Sequence, residues 1–307
     1  MKRYLDCKAS ELSNITKTDL MYGLKASEGR IIVSETIGSV QPALMSVTNA
    51  EFAASQGADI LLLNLFDVNN PLINGLPPET KAQDCIKAIK HLTGRVVGIN
   101  LEPVDPEAIY TENELWSLSK GRLATVENAK KAVDMGAGII VLTGNPGNGI
   151  SNQVICSSLC SIKAELGDKL VLIAGKMHAS GILCEGAENI ITKDDIKNFC
   201  IAGADVILLP APGTIPGISL DYSRELITYA HSLGVLTMTA IGTSQEGADK
   251  STVRQIALMC KMAGTDLHHI GDTGYVGMAI PENILTYSIA IRGIRHTYTR
   301  IASSVNR

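Results

Sequence analysis

The sequence predicts an α/β fold, a single (β/α)8 TIM barrel, from three observations. A strand motif recurs along the chain, helix-forming segments separate its copies, and polar loops follow only one end of the strands. The motif is a helix end, a glycine, a small residue and an apolar run. It occurs at residues 56–64, 135–144, 202–210 and 263–271, with looser copies near Gly167 and Gly234. Glycine suits the left-handed residue that ends a helix, and the apolar run is typical of a strand buried on both faces.

The other elements follow in order. A polar leader, residues 1–29 with a helix at 9–25, is expected to close the bottom of the barrel, and further strands span 30–38 and 94–103. This makes about eight strands, spaced by roughly 28 to 43 residues as in βαβ units. The predicted helices cover residues 48–56, 79–92, 126–135, 151–166, 193–202, 221–233, 251–263 and 282–303. Thr192 with Asp195 resembles a capping box, and Pro281 suits a first helical turn.

A doubly wound open sheet is the alternative architecture. It is disfavoured because no GxGxxG or GxxxxGKS/T motif follows any apolar run. The length does not require a second domain, since barrels of this size fold as one unit. We therefore expect residues 1–307 to form one domain.

Composition and charge disfavour several classes of protein. The chain is 45% hydrophobic and 19% charged, with a net charge of −4 and no block of like charge, which argues against nucleic-acid and membrane partners. No apolar run reaches the length of a membrane span, and the start lacks the apolar region of a signal peptide. The seven cysteines form no CxxC pair, so neither a zinc site nor a disulfide framework is indicated. We expect a cytoplasmic protein.

The stretch LVLIAGKMHASG, residues 170–181, is the strongest candidate for chemistry. Its apolar strand ends in Lys176 and His178, and alternation puts both on one side with Ala174 below them. Catalytic groups of this fold lie at the carboxyl-terminal ends of the strands. A lysine that ends a strand and reaches solvent is an equally good interpretation of this stretch alone. We predict Lys176, His178 and Glu102 as catalytic residues.

Parity along the strands selects further side chains for the mouth of the barrel. If Asn64 points into the mouth, then Thr143 and Gly271 do as well, while His269 faces the interior and His268 faces the helices. For His269, a core histidine with a satisfied hydrogen bond is as good an interpretation as a functional one. The predicted substrate-binding residues are Glu35, Asn64, Asn100, Thr143, Asn145, Thr243, Ser244, His269, Gly271, Thr273 and Gly274.

Phosphate and metal are the two ions considered for this mouth. The loops at Thr243–Ser244 and 271–277 offer backbone N–H groups and hydroxyls to a phosphate, and the helix near Ser251 offers its positive end. Asp272 would repel that phosphate, and could instead hold magnesium together with Glu35 and Glu102. No other cofactor is predicted.

Four loops carry a resemblance to a known family. NLFDVNNPL at 64–72, GINLEPVDPEAI at 98–109, LIAGKMHASGIL at 172–183 and ADVILLPAPGTIPG at 204–217 resemble the matching loops of the BtpA family of barrel proteins. That family lies within the ribulose-phosphate-binding-like barrels and also has a lysine and a histidine near the end of the fifth strand. The resemblance implies the barrel fold and no settled reaction.

Three kinds of function remain open from the sequence. The first is a lyase, aldolase or isomerase that acts on a small, anionic, phosphorylated or carboxylated metabolite, with Lys176 as a Schiff-base nucleophile or an electrostatic clamp. The second is a magnesium-assisted hydrolase or a phosphoenolpyruvate-type lyase. The third is a non-catalytic binding or assembly barrel of the BtpA type, which the polar loops disfavour. Self-association into a homo-oligomer is left open.

Overall fold

The computed structural model describes residues 2–105, 118–144, 150–177, 179, 183 and 186–307 of the chain. Its centre is a closed barrel of eight parallel strands, in which each strand pairs with the next in sequence and β8 pairs with β1. The strands are β1 (Ile31–Ile37), β2 (Ile60–Asn64), β3 (Val96–Leu101), β4 (Ile139–Leu142), β5 (Val171–Gly175), β6 (Val206–Pro210), β7 (Leu236–Ile241) and β8 (Leu267–Ile270). The predicted (β/α)8 barrel is confirmed.

Helices surround the barrel: two precede β1, others lie between successive strands, as the spacing of the strands predicts, and the last follows β8. They are α1 (Ala9–Ser13), α2 (Lys17–Ala26), α3 (Asn49–Ser55), α4 (Cys85–Thr93), α5 (Val126–Met135), α6 (Asn152–Leu166), α7 (Lys193–Ala202), α8 (Leu220–Ser232), α9 (Lys250–Ala263) and α10 (Pro281–Ala302). The start of the helix predicted over residues 79–92 is wrong. The α-helix begins at Cys85, because a 3-10 turn at Ala82–Asp84 precedes it. None of the described helices is long and apolar enough to cross a membrane.

Alternation along the strands separates two apolar layers. Val33, Leu62 and Met238 belong to the cluster inside the barrel, whereas Leu61 and Leu63 belong to the larger cluster between strands and helices. Both clusters are buried, so each strand is covered on its two faces, as parallel sheets require.

The N-terminal leader closes the bottom of the barrel, as predicted. Leu12, Leu20 and Leu24 pack into the interior cluster, and the Tyr4 hydroxyl donates to the carbonyl of Asp59 at 2.6 Å. The core of the barrel is thereby sealed at its amino-terminal end, and the opposite end is left for polar side chains.

Below β2, a buried ion cluster ties the last helix to this seal. Asp59 is fully buried and binds the guanidinium of Arg292, and Arg300 Nε lies 2.8 Å from Asp59 Oδ1. Arg300 also donates to the carbonyl of Tyr4 at 2.9 Å. The carboxyl-terminal helix is thus locked to the leader by charges at the end of the barrel remote from the polar loops.

Candidate active site

A chain of hydrogen bonds joins four polar side chains at the carboxyl-terminal end of the barrel. Asn100 Nδ2 donates to Glu35 and, at 3.1 Å, to Asn64 Oδ1, and Asn64 Nδ2 donates to Asp272 Oδ2 at 2.9 Å. These residues come from the ends of β1, β2, β3 and β8, which the closed barrel makes neighbours. The predicted convergence of Glu35, Asn64 and Asn100 is therefore seen, with Asp272 as the fourth member.

One backbone group fixes the orientation of both amides in this chain. The N–H of Leu65 donates to Asn64 Oδ1 at 2.9 Å, so the Asn64 oxygen faces the backbone and its nitrogen faces Asp272. Asn100 must then donate to Asn64, and the same Nδ2 group donates to Glu35 Oε1. The amide donors of the chain consequently point towards Glu35, Asn64 and Asp272, and Asn100 Oδ1 is left buried without a partner.

The two histidines of β8 face opposite sides, as predicted. His268 Nε2 lies 3.0 Å from the carbonyl of Gly29, on the helix side of the strand. His269 lies on the interior side, where its Nε2 atom is 3.7 Å from Glu35 Oε2. Burial lowers the pKa of each ring to about 4, so both imidazoles are neutral near pH 7.

A third carboxylate, Glu246, joins the cluster from the loop after β7. Its Oε1 atom accepts from the N–H of Thr273 at 3.0 Å and from the hydroxyl of the same residue. Its Oε2 atom is buried without a hydrogen-bond partner. A Cβ at Gly271 would lie 2.9 Å from Glu246 Oε1, so this glycine makes room for the carboxylate. The sequence reasoning missed Glu246.

Burial and mutual repulsion govern the protonation of these acids. The pKa of Glu35 is raised well above its usual range, first by burial and then by the charges of Asp272 and Glu246, against the opposing effect of Asn100. The pKa of Asp272 is also raised by burial, while the hydrogen bond from Asn64 opposes the rise. A carboxyl group that stays protonated towards neutral pH is suited to general acid catalysis.

Glu102 makes a different contact from the one predicted. It forms an ion pair with Arg122, which the segment after the third strand returns to the barrel, and its N–H donates to the carbonyl of Arg122 at 2.8 Å. Within the described part of the chain, no group of three or more His, Cys, Asp or Glu residues is placed to hold a metal ion. The predicted magnesium site of Glu35, Glu102 and Asp272 is thus not assembled, because Glu102 is held by an arginine.

Ala174, the residue predicted to lie below Lys176, packs in the cluster outside the barrel, and Met177 packs in the cluster inside it. The side of β5 that carries Ala174 therefore faces the helices, because alternation alone does not fix which face of a strand points inwards. Lys176 is nevertheless only 4% exposed, directly after the last residue of β5. His178 and Asn145 lie outside the described residues.

The groups expected to bind phosphate have other partners. Asp249 caps the amino terminus of α9 by accepting from the N–H groups of Ser251 and Thr252 at 2.8 and 3.1 Å. The Thr243 hydroxyl reaches the Thr214 carbonyl at 2.9 Å, and Thr273 donates to Glu246. A Cβ at Gly274 would meet the backbone of Glu246 at 2.9 Å, so this glycine is required for close packing. Among the remaining predicted residues, Ser244 is exposed, and the buried hydroxyl of Thr143 has no partner.

Comparison with known proteins assigns the chain to a family. The model of a domain of unknown function, DUF7916, matches residues 5–307. The chain belongs to this family. The resemblance to the BtpA family is not confirmed by this match. No curated protein matches the chain in sequence.

Solved structures resemble the chain in fold. A crystal structure of an archaeal fructose 1,6-bisphosphate aldolase has a TM-score of 0.55 at 14% identity, covering 87% of this chain and 95% of its own. Another archaeal fructose-1,6-bisphosphate aldolase, with its catalytic lysine covalently bound to a carbinolamine intermediate, has a TM-score of 0.56 at 13% identity, with coverages of 87% and 96%. Identities this low show the shared barrel and not a shared reaction.

Proposed function

We propose that this protein is an enzyme of the lyase, aldolase or isomerase type, in which Glu35 transfers a proton to or from a small polar metabolite at the mouth of the barrel. The observation that carries the proposal is the buried pair of carboxyl groups on β1 and after β8, linked through two asparagines. The position agrees with the general rule that barrel enzymes react at the carboxyl-terminal ends of their strands.

The two carboxyl groups are suited to opposite roles. Burial raises the pKa of Glu35 well above its usual range, and its Oε1 atom accepts from Asn100, so its proton belongs on Oε2. Asp272 accepts a hydrogen bond from Asn64, which favours its ionised form. Glu35 is therefore the general acid and Asp272 the general base, an arrangement in which neighbouring environments separate two chemically similar groups.

Neutral His269 lines this site and does not take the proton of Glu35. Its Nε2 atom is 3.7 Å from Glu35 Oε2, a distance longer than a hydrogen bond. Because the ring resists protonation until about pH 4, it does not form an ion pair with Glu35 at neutral pH. The proton of Glu35 consequently stays available to a substrate.

Deuterium incorporation tests this proposal without a known substrate. The protein is incubated in D2O with a panel of small keto acids and hydroxy-carbonyl compounds, and exchange of the hydrogen next to the carbonyl is followed by NMR. We expect exchange with at least one compound, and a rate reduced by about 10²- to 10⁴-fold in Glu35→Gln. Glu127→Gln, on the exposed face of α5, is the matched control and should exchange at the wild-type rate. Equal rates in wild type and Glu35→Gln would refute the role of Glu35.

Schiff-base chemistry at Lys176 is the second candidate, and the position of this lysine supports it. A lysine amine attacks a carbonyl carbon to form a Schiff base, and this lysine lies at the carboxyl-terminal end of a barrel strand. One of the barrels similar in fold has a catalytic lysine bound to a carbinolamine. Glu102 or His178 would then move the proton, as the sequence predicts.

Borohydride trapping distinguishes this candidate. Reduction in the presence of the same carbonyl panel should leave an adduct on Lys176 that peptide mass spectrometry locates, and Lys176→Met should abolish it. Lys130→Met, at an exposed ion pair with Glu165, should trap as well as wild type. Trapping that survives Lys176→Met would refute a Schiff base at this residue.

A further inference from the structure

The amide and hydroxyl donors of the carboxyl cluster at the mouth already have partners within the cluster. Both Asn100 and Asn64 direct their amide N–H groups to carboxyl or amide oxygens, and Thr273 directs its N–H and hydroxyl to Glu246. We define this cluster as Glu35, Asn64, Asn100, Glu246, His269, Asp272 and Thr273. Apart from the proton of Glu35 and the ring N–H of His269, the donors of the cluster have partners, so a further partner is expected to supply donors of its own.

The polar atoms left without partners in this cluster are acceptors. They are Asn100 Oδ1 and Glu246 Oε2, on side chains only 8% and 1% exposed. His269 Nδ1 is also buried without a partner, and it accepts when the ring proton is on the nitrogen that faces Glu35. A buried acceptor with no donor is costly, so these atoms indicate what a ligand must provide.

Charge restricts the ligand further. Three carboxyl groups lie together, and the described residues that contact them inside the cluster are neutral amides, a hydroxyl and a neutral imidazole. An anionic group placed against them would be repelled, whereas a cation would offset their mutual repulsion. The anionic substrate expected from the sequence does not suit this part of the mouth.

We propose that the substrate presents a primary ammonium group to the carboxyl cluster. An ammonium carries both the positive charge and up to three N–H donors, so it satisfies the acceptors and the excess of carboxyl groups together. This inference rests on the proposed function and specifies the substrate end that faces Asp272 and Glu246. A cation nearby favours the ionised carboxylate of Asp272, the general base, and Glu35 keeps its proton as the general acid.

Small ammonium ions serve as probes for this site. Methylammonium chloride at about 100 mM is compared with tetramethylammonium chloride, which has the same charge and no N–H donor, by the shift in melting temperature. We expect methylammonium to raise the melting temperature by about 2 °C more than tetramethylammonium. The difference should grow with pH, because the ionised carboxylate of Asp272 attracts an ammonium more strongly than the protonated group does.

Variants tie the effect to the cluster. Asp272→Asn should remove the difference between the two probes, and Glu246→Gln provides a second test if the first variant does not fold. Glu127→Gln, exposed on α5, should retain the wild-type difference. Ethylene glycol tests whether uncharged donors are enough, and magnesium chloride at equal ionic strength tests a metal cation.

The outcomes separate this inference from the proposed function. Equal shifts from the two ammonium ions, a larger shift from ethylene glycol or magnesium, or a difference that survives in both variants would overturn the ammonium assignment. If deuterium exchange still depended on Glu35 in that case, the acid–base function would stand without it. If the wild type showed no deuterium exchange but a normal ammonium effect, the cation-binding site would stand and the proposed catalysis would be refuted.

Discussion

Replacement of His269 by glutamine is expected to weaken the dependence of the free energy of unfolding on pH. The ring is buried inside the barrel, and burial lowers its pKa from the ordinary 6.5 to about 4. The unfolded chain therefore binds a proton at a higher pH than the folded protein does. A group with a lowered pKa of this kind contributes stability above pH 6.5 that is lost as the pH falls towards 4.

The size of the effect follows from the shift. A displacement of one pKa unit corresponds to about 1.4 kcal/mol, so the full contribution of His269 is about 3 kcal/mol. Between about pH 7.5 and pH 4.5 the wild type should lose about 2 to 3 kcal/mol of its free energy of unfolding through this ring alone. Other groups also titrate in this range, and comparison of wild type with variant cancels them.

Urea unfolding at the two pH values measures the difference. The free energy of unfolding of His269→Gln should fall by about 2 to 3 kcal/mol less than that of the wild type. His268→Gln should show a change of similar size, because burial lowers the pKa of His268 to about 4 as well. Wild type and His269→Gln with parallel pH dependence would show that the ring is solvated, and the interior position of His269 would be wrong.

Three substitutions test the packing and charges that support the site. Gly98→Ala should lower the free energy of unfolding by about 1 to 3 kcal/mol, because a Cβ there would lie 2.8 Å from Ile139 and Leu62 inside the barrel. Thr48→Ala removes the buried capping box of α3 and should cost about 1 kcal/mol. Asp59→Asn leaves Arg292 and Arg300 without their buried carboxylate and should cost about 3 to 5 kcal/mol. Melting temperatures and urea midpoints measure each loss, and an unchanged midpoint would contradict the corresponding contact.

The fold could be predicted because each part of the repeated sequence pattern is local in the chain. A glycine that ends a helix and an apolar run that follows it are close in sequence, and Gly136, Gly203 and Gly264 have the positive φ that this pattern predicts. Parity then placed His269 inside the barrel and His268 against the helices, since two adjacent strand residues must face opposite sides.

The candidate site was only partly predictable, because its contacts join distant loops. Glu246 is held by Thr273 from the loop of the next strand, and Arg122 returns to Glu102 after a long connection. No pattern within either loop indicates these pairs. The sequence indicates that the loops containing Glu246 and Thr273 offer N–H and hydroxyl donors to an anion. In the structure, the donors of Thr273 instead bind the carboxylate of Glu246.

The sequence alone also does not determine the phase of a strand, which is the choice of the face that points into the barrel. On β8 the repeated motif makes Gly271 equivalent to Asn64 of β2, which sets the side that faces the mouth, whereas the looser copy at β5 gives no such reference for Lys176. A single residue of shift exchanges the two faces of a strand, so Ala174 and Met177 were needed to orient it.

The protonation state of Glu35 tests the central claim most directly. The carboxyl carbons of glutamate are labelled with 13C and followed by NMR as the pH is raised, and the signal of Glu35 is the one missing from Glu35→Gln. We predict a carboxyl that is still protonated well above the ordinary glutamate pKa of about 4.3, with an apparent pKa that falls in a Glu246→Gln variant. A Glu35 signal that titrates near about pH 4.3 in both proteins would contradict the account, because the site would then have no general acid.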